Sequence, residues 1–225
     1  MITDYFLEAC CQNAADALTA QRHGASRIEL CENLACDGLT PSLQTVSETL
    51  RAVSIPVNVL IRARDGNFIY SDEEIIEMCH SIGEIGALRI APDDERLPMR
   101  KVNAFVIGAL TEEGEVDIRA MEQMMRAAEG RPVTFHRAFD VCASPTRAYR
   151  ELAELGVARI LTSGHAPTAM EGRKLLAELV GMSASKREDA GGPIVLVGGG
   201  VRPANIRILA AETGAAEFHS SWLVW

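Results

Sequence analysis

Three stretches of the chain carry one pattern: Gly24-Ala25-Ser26-Arg27-Ile28-Glu29-Leu30, Gly156-Val157-Ala158-Arg159-Ile160-Leu161-Thr162 and Gly214-Ala215-Ala216-Glu217-Phe218-His219. In each, a glycine ends a helical pattern and a strand begins two or three residues later. Reading outward from these, strand-like runs fall at Phe6–Cys10, Arg27–Leu30, Val57–Ile61, Ala104–Ile107, Val133–His136, Arg159–Leu161, Ile194–Val197 and Glu217–His219. Helical patterns lie between them at Ala14–His23, Leu43–Arg51, Asp72–Ile82, Asp117–Ala128, Pro145–Leu155, Ala169–Val180 and Pro203–Thr213. Strand and helix in alternation mean parallel pairing through right-handed crossovers. Eight such strands predict a closed (β/α)8 TIM barrel, with residues 1–225 as one domain.

Three places break the alternation. Ala91-Pro92-Asp93-Asp94-Glu95-Arg96-Leu97-Pro98 reads as an exposed excursion before the fourth strand. Ser183–Gly192 reads as a polar loop before the seventh. Only Ser220–Trp225 follow the eighth strand, so the last outer helix is expected to be absent or truncated. Burying a large apolar side chain contributes roughly 1.5–3 kcal/mol. Trp222-Leu223-Val224-Trp225 is therefore expected to fold onto the barrel or against a second subunit.

Composition narrows the function. Apolar residues make up 48% and charged residues 24%, as in a globular protein rather than a disordered one. The charge sum is 22 − 31 = −9, and no dense Lys/Arg run offers a nucleic-acid face. Apolar stretches such as Ala104–Leu110 fall short of the roughly 20 residues of a membrane helix. The N-terminus has neither the basic start nor the apolar core of a signal peptide. A cytoplasmic location is expected, with the six cysteines as free thiols.

In such a barrel the C-terminal strand ends and the loops after them build the site. Alternation turns Glu8 and Cys10, Glu29 and Cys31, and Arg62 inward. His136 shares the face of Thr134, and His219 that of Glu217. Barrel interiors ordinarily take branched apolar residues, so Glu8, Glu29, Arg62, His136 and His219 form the candidate catalytic set. A histidine can shuttle protons near neutral pH, and a desolvated glutamate can act as a base. The bland reading is an internal salt-bridge network in which Arg62 balances Glu8 and Glu29. A second constellation, Val197-Gly198-Gly199-Gly200-Val201-Arg202-Pro203, offers backbone amides before a helix, which suits an anion. With hydroxyls from the sixth and eighth loops, the candidate anion-binding residues are Thr162, Ser163, Gly199, Gly200 and Ser220. Cys10 and Cys31 stand at equivalent ends of adjacent strands. They are either small buried hydrophobes or, as thiolates, ligands for a soft ion such as Cu(I).

Taken together, Leu7-Glu8-Ala9-Cys10, Ile28-Glu29-Leu30-Cys31, Val133-Thr134-Phe135-His136-Arg137-Ala138-Phe139-Asp140, Gly198-Gly199-Gly200-Val201 and Glu217-Phe218-His219 resemble the CutC family, long named for copper homeostasis. The resemblance implies a (β/α)8 barrel in the cytosol, a homodimer or higher homo-oligomer, and a part in copper handling. It places the Cu(I) thiols on Cys10 and Cys31. It places a polar cavity on Glu8, Glu29, Arg62, Arg64, His136, Arg137, Thr162 and His219. Ala63, where the family usually has Pro, departs from its pattern. The expected function is a Cu(I)-binding protein of copper homeostasis. The alternatives are an enzyme acting on a small anionic or phosphorylated metabolite through Glu/His acid–base chemistry, and a barrel whose surface recruits a partner. The expected ligands are a copper ion or a small anion, with no nucleic acid and no membrane.

Overall fold

A computed structural model describes residues 5–92, 98–185, 192–222 and 224. Eight strands pair in chain order, all in parallel, and close into a barrel. They are β1 (Phe6–Cys11), β2 (Arg27–Leu30), β3 (Val57–Leu60), β4 (Ala104–Ile107), β5 (Val133–Phe135), β6 (Arg159–Thr162), β7 (Ile194–Val197) and β8 (Glu217–Ser220). Between them run α1 (Ala14–Arg22), α2 (Leu43–Ala52), α3 (Asp72–Ala87), α4 (Ile118–Ala127), α5 (Pro145–Glu154), α6 (Arg173–Ser185) and α7 (Ile206–Thr213). Among the described residues none of the helices is long and apolar enough to cross a membrane.

Local chemistry sets the helix starts. Asn13, Ser42 and Asp117 each accept an early backbone N–H of α1, α2 and α4. Ser71 and Glu74 form a reciprocal capping box on α3. Outward-facing Ile28, Val59, Phe105, Phe135, Ile160, Val197 and Phe218 are buried beneath the helices, with Leu50, Met78, Met121, Leu152, Leu176 and Leu209 in the same core. The inward positions differ in kind, because about half of them are polar or charged, among them Glu8, Arg27, Glu29, Asn58, Glu217 and His219.

Some expected boundaries shift for physical reasons. α6 begins at Arg173 rather than Ala169, and the residues before it form a separate turn in which the Gly172 N–H donates to the Thr168 carbonyl at 3.0 Å. Its C-terminal end takes in Ser183 to Ser185 of the expected polar loop, and 186–191 lie outside the described residues. α7 begins at Ile206 rather than Pro203. Before it, the Arg202 N–H donates to the Asn205 side chain at 2.8 Å and holds a turn. The proline-rich excursion leaves and returns through an antiparallel bridge between Ile90 and Arg100, and its residues 93–97 lie outside the described residues.

No helix follows β8 among the described residues. Phe218, on the outer side of β8, is fully buried, and the Tyr5 ring meets it edge-on at 5.5 Å. Of the tail expected to fold onto the barrel or against a second subunit, Trp222 is 47% and Val224 52% exposed in the single chain, so the barrel alone does not bury them, while Leu223 and Trp225 lie outside the described residues. Trp222 packs beneath the Arg202 guanidinium, 5.5 Å from the ring centre.

Candidate functional site

The interior begins with a chain of paired charges. Arg159 Nε donates to Glu217 Oε2 at 2.7 Å, and Arg27 Nη2 donates to the same oxygen at 3.1 Å. Arg27 Nε donates to Glu8 Oε2 at 2.5 Å, which also accepts from Asn58 Nδ2 at 3.2 Å. Asn58 in turn accepts from Asn103 at 2.8 Å. Glu8 Oε1 accepts from His219 Nδ1 at 2.8 Å. Burial alone would raise the Glu8 carboxyl, but the His219 hydrogen bond and the Arg27 and His219 charges outweigh it and bring it to about 2. The partner of Glu8 is thus Arg27, not Arg62 as the internal-network reading had it. Arg27 lies on the same strand face as Glu29, so alternation could have found it. Arg159 likewise shares a face with Leu161.

Above this chain opens a cavity of about 460 Å³, lined by Cys10, Glu29, Arg62, His136, His219 and Ser220 among others. Arg137, which the family resemblance placed here, also lines it, together with Arg202, Phe68 and Asp140, which strand alternation cannot reach because they lie beyond the strands. Here the polar groups are incompletely paired. Glu29 Oε2, Arg62 Nε and His136 Nε2 are buried and make no hydrogen bond. An unsatisfied buried polar atom costs about 1–3 kcal/mol, so three around one cavity call for a reason. Burial is the main cause that raises the Glu29 carboxyl to about 7. The His219 charge opposes that rise, and the Glu8 charge adds to it. His219 sits 3.8 Å from Glu29, and its imidazole is raised because the Glu29 and Glu8 charges outweigh burial. Burial, with the Arg62 charge, depresses the His136 imidazole to about 3.

The thiols meet as adjacent inward positions should. Cys10 and Cys31 sulfurs lie 3.7 Å apart, and both are buried. The hydrogen bond to Cys31, then burial and the nearby Glu29, holds the Cys10 thiol well above its ordinary value. Two such sulfurs suit a soft ion. Cys10, Glu29 and His219 also bring one donor atom each within 4.8 Å of one another.

Other expected site residues turn elsewhere. Thr162 points away from the cavity, because β6 alternation gives the inner face to Leu161. Its hydroxyl donates to Asp140 at 2.5 Å. Ser163 is fully buried and donates to the Ala166 carbonyl at 2.6 Å. Arg64 is drawn out to Glu74 at 2.6 Å. Glu8 lies beneath His219 and outside the cavity lining. Gly199, Gly200 and Ser220 do line the cavity. The Ser220 hydroxyl is turned to the Val201 carbonyl at 2.7 Å. The turn before α7 separates the glycine loop from the helix N-terminus expected to support it.

Comparison with known proteins agrees along the whole length. The family model for CutC matches residues 5–224. A CutC family protein of Enterobacter sp. (strain 638) is 43% identical over 219 residues, covering 97% of this chain and 81% of that protein. Its counterpart in Porphyromonas gingivalis is 38% identical, covering 96% and 79%. The crystal structure of CutC from Streptococcus agalactiae superposes with a TM-score of 0.85 at 32% identity, covering 98% of this chain and all of that one. The chain belongs to the CutC family.

Proposed function

We propose that the chain is an enzyme acting on a small anionic metabolite by acid–base chemistry at the C-terminal mouth of the barrel. The observation that carries this reading is Glu29. It is a buried carboxylate with one oxygen that accepts no hydrogen bond, and it lines a cavity whose other walls hold Arg62, Arg137 and Arg202. A carboxyl raised to about 7 is suited to take up and release a proton at neutral pH. The arginines give an anionic substrate its orientation, and Gly199, Gly200 and Ser220 extend the anion-binding wall. His219, held by Glu8, keeps a positive charge available beside Glu29. The six cysteines are all free, which suits a reducing compartment such as the cytoplasm.

The test is a thermal-shift screen of the purified chain against small carboxylated and phosphorylated metabolites, with NMR of the best ligands. The expected result is a ligand that wild type converts and Glu29→Gln binds without converting. Equal conversion by Glu29→Gln overturns the role of Glu29, and a screen with no stabilising anion overturns the anionic pocket.

A second reading rests on the 3.7 Å approach of Cys10 and Cys31. The streptococcal relative is named for copper homeostasis. On this reading the two thiolates carry Cu(I) as cargo. Titration against a Cu(I) chelator should then show one site in reduced wild type and none in the Cys10→Ser, Cys31→Ser double variant. Equal affinity in both sinks it.

A further inference from the structure

His136 follows β5 and opens the short helical turn Arg137–Val141. The Ala138 N–H donates to His136 Nδ1 at 3.1 Å. Nδ1 is therefore an acceptor, and the neutral ring carries its proton on Nε2. That Nε2–H has no partner. Arg62 ends in the same situation. Its outer nitrogens are tied to the carbonyls of Cys36, Gly38 and Gly66 at 2.6, 3.0 and 3.2 Å, and its Nε–H makes no well-formed hydrogen bond, the likewise unpaired Tyr70 hydroxyl lying close to the guanidinium. The Phe68 ring packs against both, 4.8 Å from the imidazole centre and 5.1 Å from the guanidinium. Gly108, after β4, makes room for the imidazole, since a Cβ there would lie 2.6 Å from it. Two unpartnered donors thus stand on residues that line the cavity, after β3 and β5, with the Phe68 ring against both. The unpartnered acceptor, Glu29, comes from β2. Fixed donors that wait without an acceptor suit a negative charge that forms only during reaction. A neutral imidazole can fill that role.

We propose that the cavity moves a proton at a carbon next to a carbonyl, with His136 and Arg62 as the donors to the oxyanion. The proposal rests on the acid–base reading of Glu29 given above. Glu29 takes the proton from the carbon, and the C–H electron pair becomes a C=C bond. The carbonyl π pair moves onto oxygen, and that oxyanion accepts from His136 Nε2–H and Arg62 Nε–H. In the reverse step the enolate carbon takes the proton back from Glu29, so no redox partner or co-reactant enters. The substrate class is a small 2-oxo acid or an aldehyde or ketone phosphate, whose anionic end meets Arg137 or Arg202.

Pyruvate, dihydroxyacetone phosphate and glycolaldehyde phosphate in deuterated buffer are the probes, with loss of the proton next to the carbonyl followed by NMR. At least one should exchange faster than in buffer. His136→Phe should slow that exchange by about 100-fold or more, and His136→Gln, which keeps an N–H donor, should recover most of it. In nitrogen-resolved spectra of wild type, His136 should hold the Nε2–H tautomer from about pH 5 to 9. An Nδ1–H tautomer overturns the proposal without any variant. Unchanged exchange in His136→Phe overturns it too, and if Glu29→Gln still abolishes exchange, the acid–base reading stands alone. If no probe exchanges although the screen finds stabilising anions, the carbonyl chemistry falls and the anionic pocket survives.

Discussion

Below His219 each charged side chain of the barrel interior has a partner: Arg159 with Glu217, Glu217 with Arg27, Arg27 with Glu8. Above it, Glu29, Arg62 and His136 each keep one polar atom unpaired. The two levels are built from the same residue types at similar burial. Glu8 and Glu29 even share His219, yet one carboxyl sits at about 2 and the other at about 7. The difference is the arginine. Arg27 reaches Glu8 directly, whereas the Arg62 guanidinium is spent on three backbone carbonyls. Pairing makes the lower level part of the scaffold, and the upper level keeps its capacity for a ligand.

The largest expected effect breaks the lower level. Arg27→Met leaves Glu8 and Glu217 buried without their shared cation. Removing one partner of a buried pair costs about 3–5 kcal/mol. For a chain of this size that corresponds to a fall in melting temperature of roughly 6–20 °C. A shift under about 2 °C would mean that water reaches this level and that the two are alike.

The carboxylates sharpen the contrast through pH. The folded Glu8 pKa lies below its ordinary 4.5, so its ionised form stabilises the fold above that pH, and the contribution is lost as pH falls toward 2. Glu8→Gln should therefore cost on the order of 3 kcal/mol at neutral pH and much less near pH 3. The folded Glu29 pKa lies above 4.5, so its contribution is full below that pH and lost as pH rises through about 7. Glu29→Gln should match wild type near pH 5 and exceed it at pH 8 by about 1–3 kcal/mol. Denaturant melts of both variants across pH check the opposite signs, and two curves of the same sign would erase the distinction.

The glycine loop gives a smaller effect. Gly199 has φ +91°, and a Cβ there would lie 2.8 Å from Ser163 Cβ. Gly200 has φ +74° but meets Thr168 only at 3.7 Å. Gly199→Ala should cost about 2–3 kcal/mol and Gly200→Ala about 1 kcal/mol. Equal melting temperatures would show that the loop yields freely. The same contact makes Gly199→Val a poor probe of anion binding, because it disturbs the fold as well.

Periodicity made the barrel legible. Alternation alone turned Glu8, Glu29 and His219 inward, and brought Cys10 to Cys31. It reached even His136, which lies past the end of β5 and lines the cavity as its parity with Thr134 predicts, its ring fixed by the Ala138 N–H rather than by a ladder. Thr162 was assigned by loop position although its parity with Ile160 pointed outward. The choice of Arg27 over Arg62 as partner for Glu8 depends on register, Glu8 lying opposite Arg27, and register is not written in the order of residues. Arg202 comes from a loop, where no period exists to read, and Arg137, in the helical turn after β5, was reachable only through the family resemblance.

The smallest effect concerns the rim, where Trp222 joins the upper level to the end of β8. Its ring lies under the Arg202 guanidinium, and Arg202 Nη1 also reaches the Ser220 hydroxyl at 3.4 Å. With Trp222 47% exposed, such a cation–aromatic contact contributes about 0.5–1 kcal/mol. Trp222→Ala should thus lower the melting temperature by no more than roughly 1–4 °C. Its effect on ligands should be the clearer one. Arg202 lines the cavity, and losing the ring on one side frees its side chain to reorient. The stabilisation by the best anion from the screen should fall in Trp222→Ala and vanish in Arg202→Met, while Arg27→Lys, in the paired level, should leave it intact. If Trp222→Ala binds that anion as wild type does, the tail is only a neighbour of the cavity, and the upper level ends at Ser220.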